Sequence, residues 1–277
     1  MSLKHGPLMF LKLGSVPLVV VSSADTAQEL FKSHDLTISN RPVTYTQRKL
    51  SYGCSDMAFA PYREYWRQVR KLCTLELFSL KRAQSYRAVR EEEAALLLGS
   101  IGLNSSSSSV IINMSESVLA LVNDIHIFVA GTDTSSTAQE ELRKAIGKKE
   151  RVEESDLNGL DYLKMIIKET FRMHPPVPLL LPREATEEFT LEGYTIPAKA
   201  QIFVNATAIG LDPKWRRGCP DINFATPIVE LTLANLLHRF DWELPPGIGI
   251  VDLDMKEAIG VTTQKRIPLC LIATAKA

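Results

Sequence analysis

The stretch Lys168-Glu169-Thr170-Phe171-Arg172-Met173-His174-Pro175-Pro176 limits the fold more than any other part of the chain. It places a carboxylate and a guanidinium three residues apart near the end of an apolar helix and then stops that helix with two prolines. Residues at i and i+3 share a helix face, so Glu169 and Arg172 can pair. Leu163, Ile166, Ile167 and Phe171 recur at helical spacing and form a stripe that asks for burial. Pro175 disfavours helical backbone at His174, which ends the element. By itself the pair is also compatible with an ordinary surface salt bridge.

The rest of the chain reads as mainly helical with a small β component. Leu8 to Leu13 and Val16 to Val21 are expected to form a hairpin around Gly14-Ser15. Ala24 to Ser33 is expected as a short helix, Arg63 to Leu75 as a second and Leu80 to Ile101 as a long charged third. Asn104-Ser105 to Ser109 is a low-complexity break. A longer helix is expected from Met114 to Ser136, with helical character continuing from Gln139 to Ile146. Ser155 or Asp156 is expected to cap the helix that carries Glu169. Phe189 to Ile196 reads as a second hairpin, turning at Glu192-Gly193. Ile202 to Val204 is a strand candidate, Asn223 to Phe240 the last long helix and Leu269 to Ala273 a closing strand.

Composition enters where it excludes functions. With 32 basic and 32 acidic residues among 277, nothing favours a nucleic-acid binder. The four cysteines, Cys54, Cys73, Cys219 and Cys270, form no Cys-x-x-Cys pair, which argues against a zinc site or a disulfide framework. The N-terminal apolar runs are broken by Lys12, Gly14 and Pro17 and fall short of the roughly 20 apolar residues that span a bilayer.

Two further motifs flank the helix. Upstream, Ala130-Gly131-Thr132-Asp133-Thr134 is rich in hydroxyls that compete for backbone carbonyls, which suits either a polar helix terminus or a local distortion. Downstream lies Arg217-Gly218-Cys219-Pro220. Taken alone, Cys219 reads as a small buried hydrophobe. Arg216, Arg217 and a helix start after Pro220 would instead favour a thiolate. Trp66 and Arg70 lie one turn apart on one helix face, compatible with an amphipathic helix bearing a surface arginine.

The order of these motifs resembles the cytochrome P-450 haem-thiolate monooxygenases, in the phrasing of plant microsomal members. Gly6-Pro7-Leu8-Met9, Phe59-Ala60-Pro61-Tyr62 leading to Trp66-Arg67-Gln68-Val69-Arg70, Pro182-Arg183, Ile196-Pro197-Ala198 and the end from Leu231 to Pro245 join the same pattern. The resemblance implies a single cytochrome P-450-like domain over residues 1–277, incomplete, mainly α with a small β component. It implies haem b with an axial thiolate from Cys219, propionates held by Trp66, Arg70, Arg183 and Arg217, and Asp133 and Thr134 as the acid–alcohol pair that relays protons. Glu169 and Arg172 would lock the core beneath the haem. The implied partners are an NADPH-dependent cytochrome reductase, met by a basic face of Arg70, Lys71, Arg216 and Arg217, and a small lipophilic substrate oxidised with O2. Intact relatives would sit on the cytosolic face of the endoplasmic reticulum membrane through a preceding anchor helix. This chain is expected to begin after that helix and to be cytosolic.

The chain also departs from the family pattern. The cysteine loop of the family runs Phe-x-x-Gly-x-Arg-x-Cys-x-Gly, whereas Asp212 and Trp215 stand at the Phe and Gly positions and Asp221 replaces the last Gly. The meander that carries a third partner for Glu169 and Arg172 is missing, because Ile209-Gly210-Leu211-Asp212-Pro213 passes directly to Arg216. The span from Pro213 to Cys219 could reach about 20 Å when extended, enough for reach and not for a cradle. Pro227 falls inside the expected last helix at a cost of about 3 kcal/mol. Asn123-Asp124-Ile125 joins almost directly to Phe128-Val129-Ala130, where the family carries several helices that roof the substrate pocket, and Thr137-Ala138 joins directly to Gln139-Glu140, skipping the end of the family's long distal helix and its successor. The alternative expectation is therefore a non-catalytic truncated remnant that binds haem weakly or not at all.

Overall fold

The computed structural model describes residues 5–105, 110–119, 132–210, 222–258, 260 and 262–276; the side chains of 104–105, 117–119, 132–136 and 222–224 are outside that description. In chain order the elements are β1 (Leu8–Leu13), β2 (Val16–Val21), α1 (Ala24–Ser33), α2 (Tyr45–Leu50), α3 (Glu64–Leu72), a π turn (Cys73–Leu77), α4 (Leu80–Ser85) and α5 (Arg87–Ser105). Then come β3 (Ile111–Asn113), α6 (Met114–Leu119), α7 (Thr132–Ile146), a 3-10 turn (Glu154–Gly159), α8 (Asp161–Met173), β4 (Arg183–Glu184), β5 (Phe189–Leu191) and β6 (Tyr194–Ile196). The last are β7 (Gln201–Val204), α9 (Ala206–Gly210), α10 (Ile222–Arg239), β8 (Phe240–Glu243) and β9 (Cys270–Ala275). The chain divides into two compact units, Met1–Leu77 with Val177–Gly218, and Phe78–Pro176 with Cys219–Ala277.

The first unit is built on a four-stranded sheet in the order β1-β2-β7-β4. β1 and β2 pair antiparallel from Leu8↔Val21 to Leu13↔Val16, which leaves Gly14-Ser15 as the two-residue turn. Gly14 takes φ +61°, a left-handed conformation that a residue without Cβ adopts without strain. β2 continues parallel to β7, and β4 closes the sheet antiparallel to β7 at Arg183↔Ile202. Helix α1 starts on Ser23, whose hydroxyl accepts from the Thr26 amide at 3.1 Å. It buries Ala27 and Leu30 against Val19, Val21, Ile202 and Val204. The β5–β6 hairpin turns at Glu192-Gly193 with both residues at positive φ, a primed turn matching strand twist.

The second unit packs α5, α7, α8 and α10 around one apolar core that includes Leu98, Ile101, Leu142, Leu163, Ile167, Leu231, Leu237 and Phe240. A three-stranded sheet in the order β3-β9-β8 adds Leu271 and Ala273 to that core.

Several boundaries differ from the sequence expectation. The helix expected to run to Leu75 stops at Leu72 and widens into a π turn, where hydrogen bonds span one residue more. The long third helix is two helices broken at Tyr86, because the buried Arg90 guanidinium donates to the Ala83 carbonyl at 2.6 Å and satisfies the end of α4. Neither Ser155 nor Asp156 caps α8. Asp156 closes a capping box on its own 3-10 turn, and the Glu141 carboxylate of α7 accepts from the Tyr162 and Leu163 amides at 2.9 and 3.0 Å. The last long helix runs through Pro227 and ends at Arg239, with Phe240 opening β8 instead. Of the helix expected over Met114 to Ser136, α6 and the start of α7 are present and the middle lies outside the described residues.

Candidate functional site

Helix α8 delivers the strongest sequence motif as expected. Leu163 and Ile167 are buried, with Ile166 and Phe171 packed partly against the same core. On the outer side the Arg172 Nε donates to the Glu169 Oε2 at 2.8 Å and Nη2 to Oε1 at 2.5 Å. That two-point contact lowers the Glu169 pKa from its ordinary range and raises that of Arg172, in both cases mainly through the hydrogen bond between them. The helix stops at Met173. The His174 amide donates to the Thr170 carbonyl, and Thr263 holds the two prolines by donating from its amide to the Pro176 carbonyl at 2.9 Å and from its hydroxyl to the Pro175 carbonyl at 2.7 Å. His174 Nδ1 meets Glu257 at 2.9 Å.

Trp66 and Arg70 share one face of α3, with the guanidinium 5.1 Å from the indole ring centre. The Trp66 indole N–H donates to the Met57 carbonyl at 2.9 Å. Arg70 is exposed and forms no ion pair among the described residues. Lys71 follows it, also exposed. Arg183 lies on β4, over the Phe31 ring at 5.0 Å, and donates to the Asp35 carboxylate at 3.2 Å.

Asp133 and Thr134 fall in the first turn of α7, and their side chains lie outside the described residues. Arg216, Arg217, Cys219 and Asp221 also lie outside them. Of the other cysteines, Cys54 is buried and Cys73 and Cys270 are half-buried, all as free thiols.

The expected donors for an anionic haem edge therefore fit only in part. Arg70 can meet such an edge as it stands, while the Trp66 indole N–H already serves Met57 and the Arg183 guanidinium already serves Asp35. Sequence reasoning missed two residues that position the motifs: Asp35, the partner of Arg183, and Glu141, the cap of α8. Each acts across a long sequence separation, so no local motif announces it. Among the described residues no helix is long and apolar enough to cross a membrane.

Comparison with known proteins completes the picture. The cytochrome P-450 family model matches residues 1–130 and 131–215. The two matched stretches meet close to the joins expected around Ile125 and Ala138, and the second ends before Cys219. Cytochrome P-450 71A9 of Glycine max is 36% identical over 441 residues, covering 99% of this chain and 87% of that protein. Strychnine-11-hydroxylase of Strychnos nux-vomica is 33% identical over 440 residues, covering 99% and 86%. A zebrafish cytochrome P-450 solved with abiraterone superposes with a TM-score of 0.82 at 17% identity, over 99% of this chain and 97% of that one, which shows the fold. A match 441 residues long cannot be filled by 277, so the relatives contain internal stretches with no counterpart here. The family implies haem with a cysteine thiolate ligand, a redox partner and a lipophilic substrate. The chain belongs to the cytochrome P-450 family, as an incomplete member related to plant hydroxylases and oxygenases.

Proposed function

We propose that the chain derives from a haem-thiolate monooxygenase in which a reductase supplies electrons and one atom of O2 enters a small lipophilic molecule. Its two units are read as parts of one incomplete domain spanning residues 1–277. In this reading Cys219 is the axial ligand, and the thiolate-ligated haem supplies the oxygen chemistry when bound. Arg70, with Trp66, Arg183 and Arg217, is assigned to the propionates. Asp133 and Thr134 are assigned to proton delivery, and Glu169 with Arg172 to locking the core beneath the haem. Intact relatives would work at the endoplasmic reticulum membrane.

The observation that carries the reading is the two-point Glu169–Arg172 contact on a helix whose apolar stripe is buried, within a chain aligned almost end to end with plant relatives. A second reading, a remnant without turnover, is favoured by a different observation: the Trp66 indole N–H and the Arg183 Nη1 already donate to partners inside the chain. We therefore assign weak haem binding to this form.

Purified protein loaded with haemin, reduced and exposed to carbon monoxide tests the assignment. A thiolate-type Soret band is expected, lost in Cys219→Ser and kept in Cys54→Ser, Cys73→Ser and Cys270→Ser. Asp221→Gly is expected to strengthen it, because a negative charge leaves the thiolate's neighbourhood. Thiolate ligation that survives Cys219→Ser refutes the ligand; no haem uptake by the parent or by Asp221→Gly leaves the remnant reading standing.

A further inference from the structure

The seat of Arg183 is unusually well built for a two-residue strand. β4 is held to β7 at Ile202 and Gln201. From the other side, the Glu184 amide donates to the Asn40 carbonyl and the Asn40 side-chain amide donates to Glu184 Oε1, both at 2.9 Å. Arg41 Nη1 donates to the Leu181 and Pro182 carbonyls at 2.9 Å and fixes the approach to the strand. The guanidinium itself is packed over Phe31 and donates to Asp35 Oδ1 at 3.2 Å and to the Ile38 carbonyl at 3.4 Å. Only 17% of the Arg183 side chain is exposed, against 51% for Asp35. The arginine is thus pre-positioned and shielded, while about half of its carboxylate partner is open to water.

We propose that Asp35 is an internal counter-ion that occupies the anion seat of Arg183 and competes with a haem propionate for it. The inference rests on the assignment of Arg183 to the propionates given above. A propionate and an aspartate carboxylate are the same acceptor for one guanidinium fork. Bringing a propionate to the fork while Asp35 remains sets two like charges side by side, and displacing Asp35 gives up a formed contact. Either way the carboxylate of the chain lowers haem affinity. In a member with a complete haem cradle, other contacts offset that cost. Here the same contact also satisfies Arg183 in the haem-free chain, so the protein can fold around β4 without its cofactor.

Equilibrium haemin titration, read by Soret absorbance, tests this with Asp35→Asn, Arg183→Gln, the double variant, and Asp25→Asn as a control for net charge. Asp35→Asn is expected to tighten haemin binding about two- to fivefold, the scale of a partly exposed ion pair. Arg183→Gln is expected to weaken it, Asp35→Asn is expected to have no effect in the Arg183→Gln background, and Asp25→Asn is expected to match the parent. Thermal unfolding of the haem-free chains supplies a second readout, in which the two substitutions are expected to be non-additive. Weakening by Arg183→Gln without tightening by Asp35→Asn overturns the counter-ion while sparing the propionate assignment. An Arg183→Gln variant that binds haemin like the parent overturns the propionate assignment itself. Tightening that persists without Arg183, additive unfolding effects, or no haemin uptake by parent and Asp35→Asn alike also overturns the proposal.

Discussion

Helices α8 and α3 both carry sequence motifs, and the molecule treats them differently. In α8 the apolar residues Leu163 and Ile167 are each only 1% exposed. In α3 the residues Tyr65, Val69 and Leu72 recur at the same i, i+4, i+7 spacing, yet no residue of the helix is buried and Leu72 is 62% exposed. Leu75 and Leu77 in the following π turn are exposed as well. Apolar periodicity names the face that seeks cover; it does not say that the same chain supplies the cover. Helix α8 is completed by α7, α10 and the loop around Thr263. Helix α3 bears the residues assigned to a cofactor edge, and among the described residues it is held through polar and ring contacts, the Trp66–Met57 and Tyr65–Ser55 hydrogen bonds and the Tyr62–Trp66 ring contact, and not by a buried apolar stripe.

Substitutions can break or sharpen this contrast. The largest effect is expected from Leu163→Ala, which opens a cavity in the second unit's core and should cost about 2–5 kcal/mol in denaturant unfolding. A loss below 1 kcal/mol would mean that α8 is not anchored as described. Glu141→Ala removes the carboxylate that serves the first amides of α8, and a loss of about 1–2 kcal/mol is expected, typical of a helix cap.

A smaller effect of opposite sign is expected at Glu230, on α10 opposite Lys164 and Lys168 of α8. Burial raises its pKa above the ordinary 4.5, and the two lysines only partly offset that. The folded state therefore holds the proton more readily than the unfolded chain does. The contribution to stability is fully present below pH 4.5 and is lost as pH rises through the folded-state pKa. Glu230→Gln should raise the melting temperature at pH 7, with the gain vanishing below pH 4.5; a gain that is the same at both pH values would contradict burial as the cause. The smallest effect is expected from Leu72→Ala, within about 0.5 kcal/mol of the parent in the haem-free chain.

What could be read from the sequence follows the range of the forces involved. The Gly14-Ser15 and Glu192-Gly193 turns, helix α1 and the end of α8 at His174 are set by neighbours a few residues away, and all were legible. The break at Tyr86 depends on Arg90 folding back onto Ala83, and the cap of α8 on Glu141 of another helix, so neither has a local signature. β3 and β4 are too short for alternation to show and exist because β9 and β7 pair with them. For the site, motif order was enough to place the chain in its family. The commitment of Arg183 to Asp35 was hidden, because the two are 148 positions apart in sequence.

The contrast between α8 and α3 is tested most directly by amide hydrogen exchange on the haem-free chain, followed by the same measurement with haemin. Amides of Ile167 to Phe171 are expected to exchange about a hundredfold or more slowly than those of Gln68 to Leu72, because only the former need a large opening of packed structure. Haemin is expected to slow exchange in α3 selectively. Equal protection of the two helices without haemin, or haemin protection confined to α8, would contradict the account.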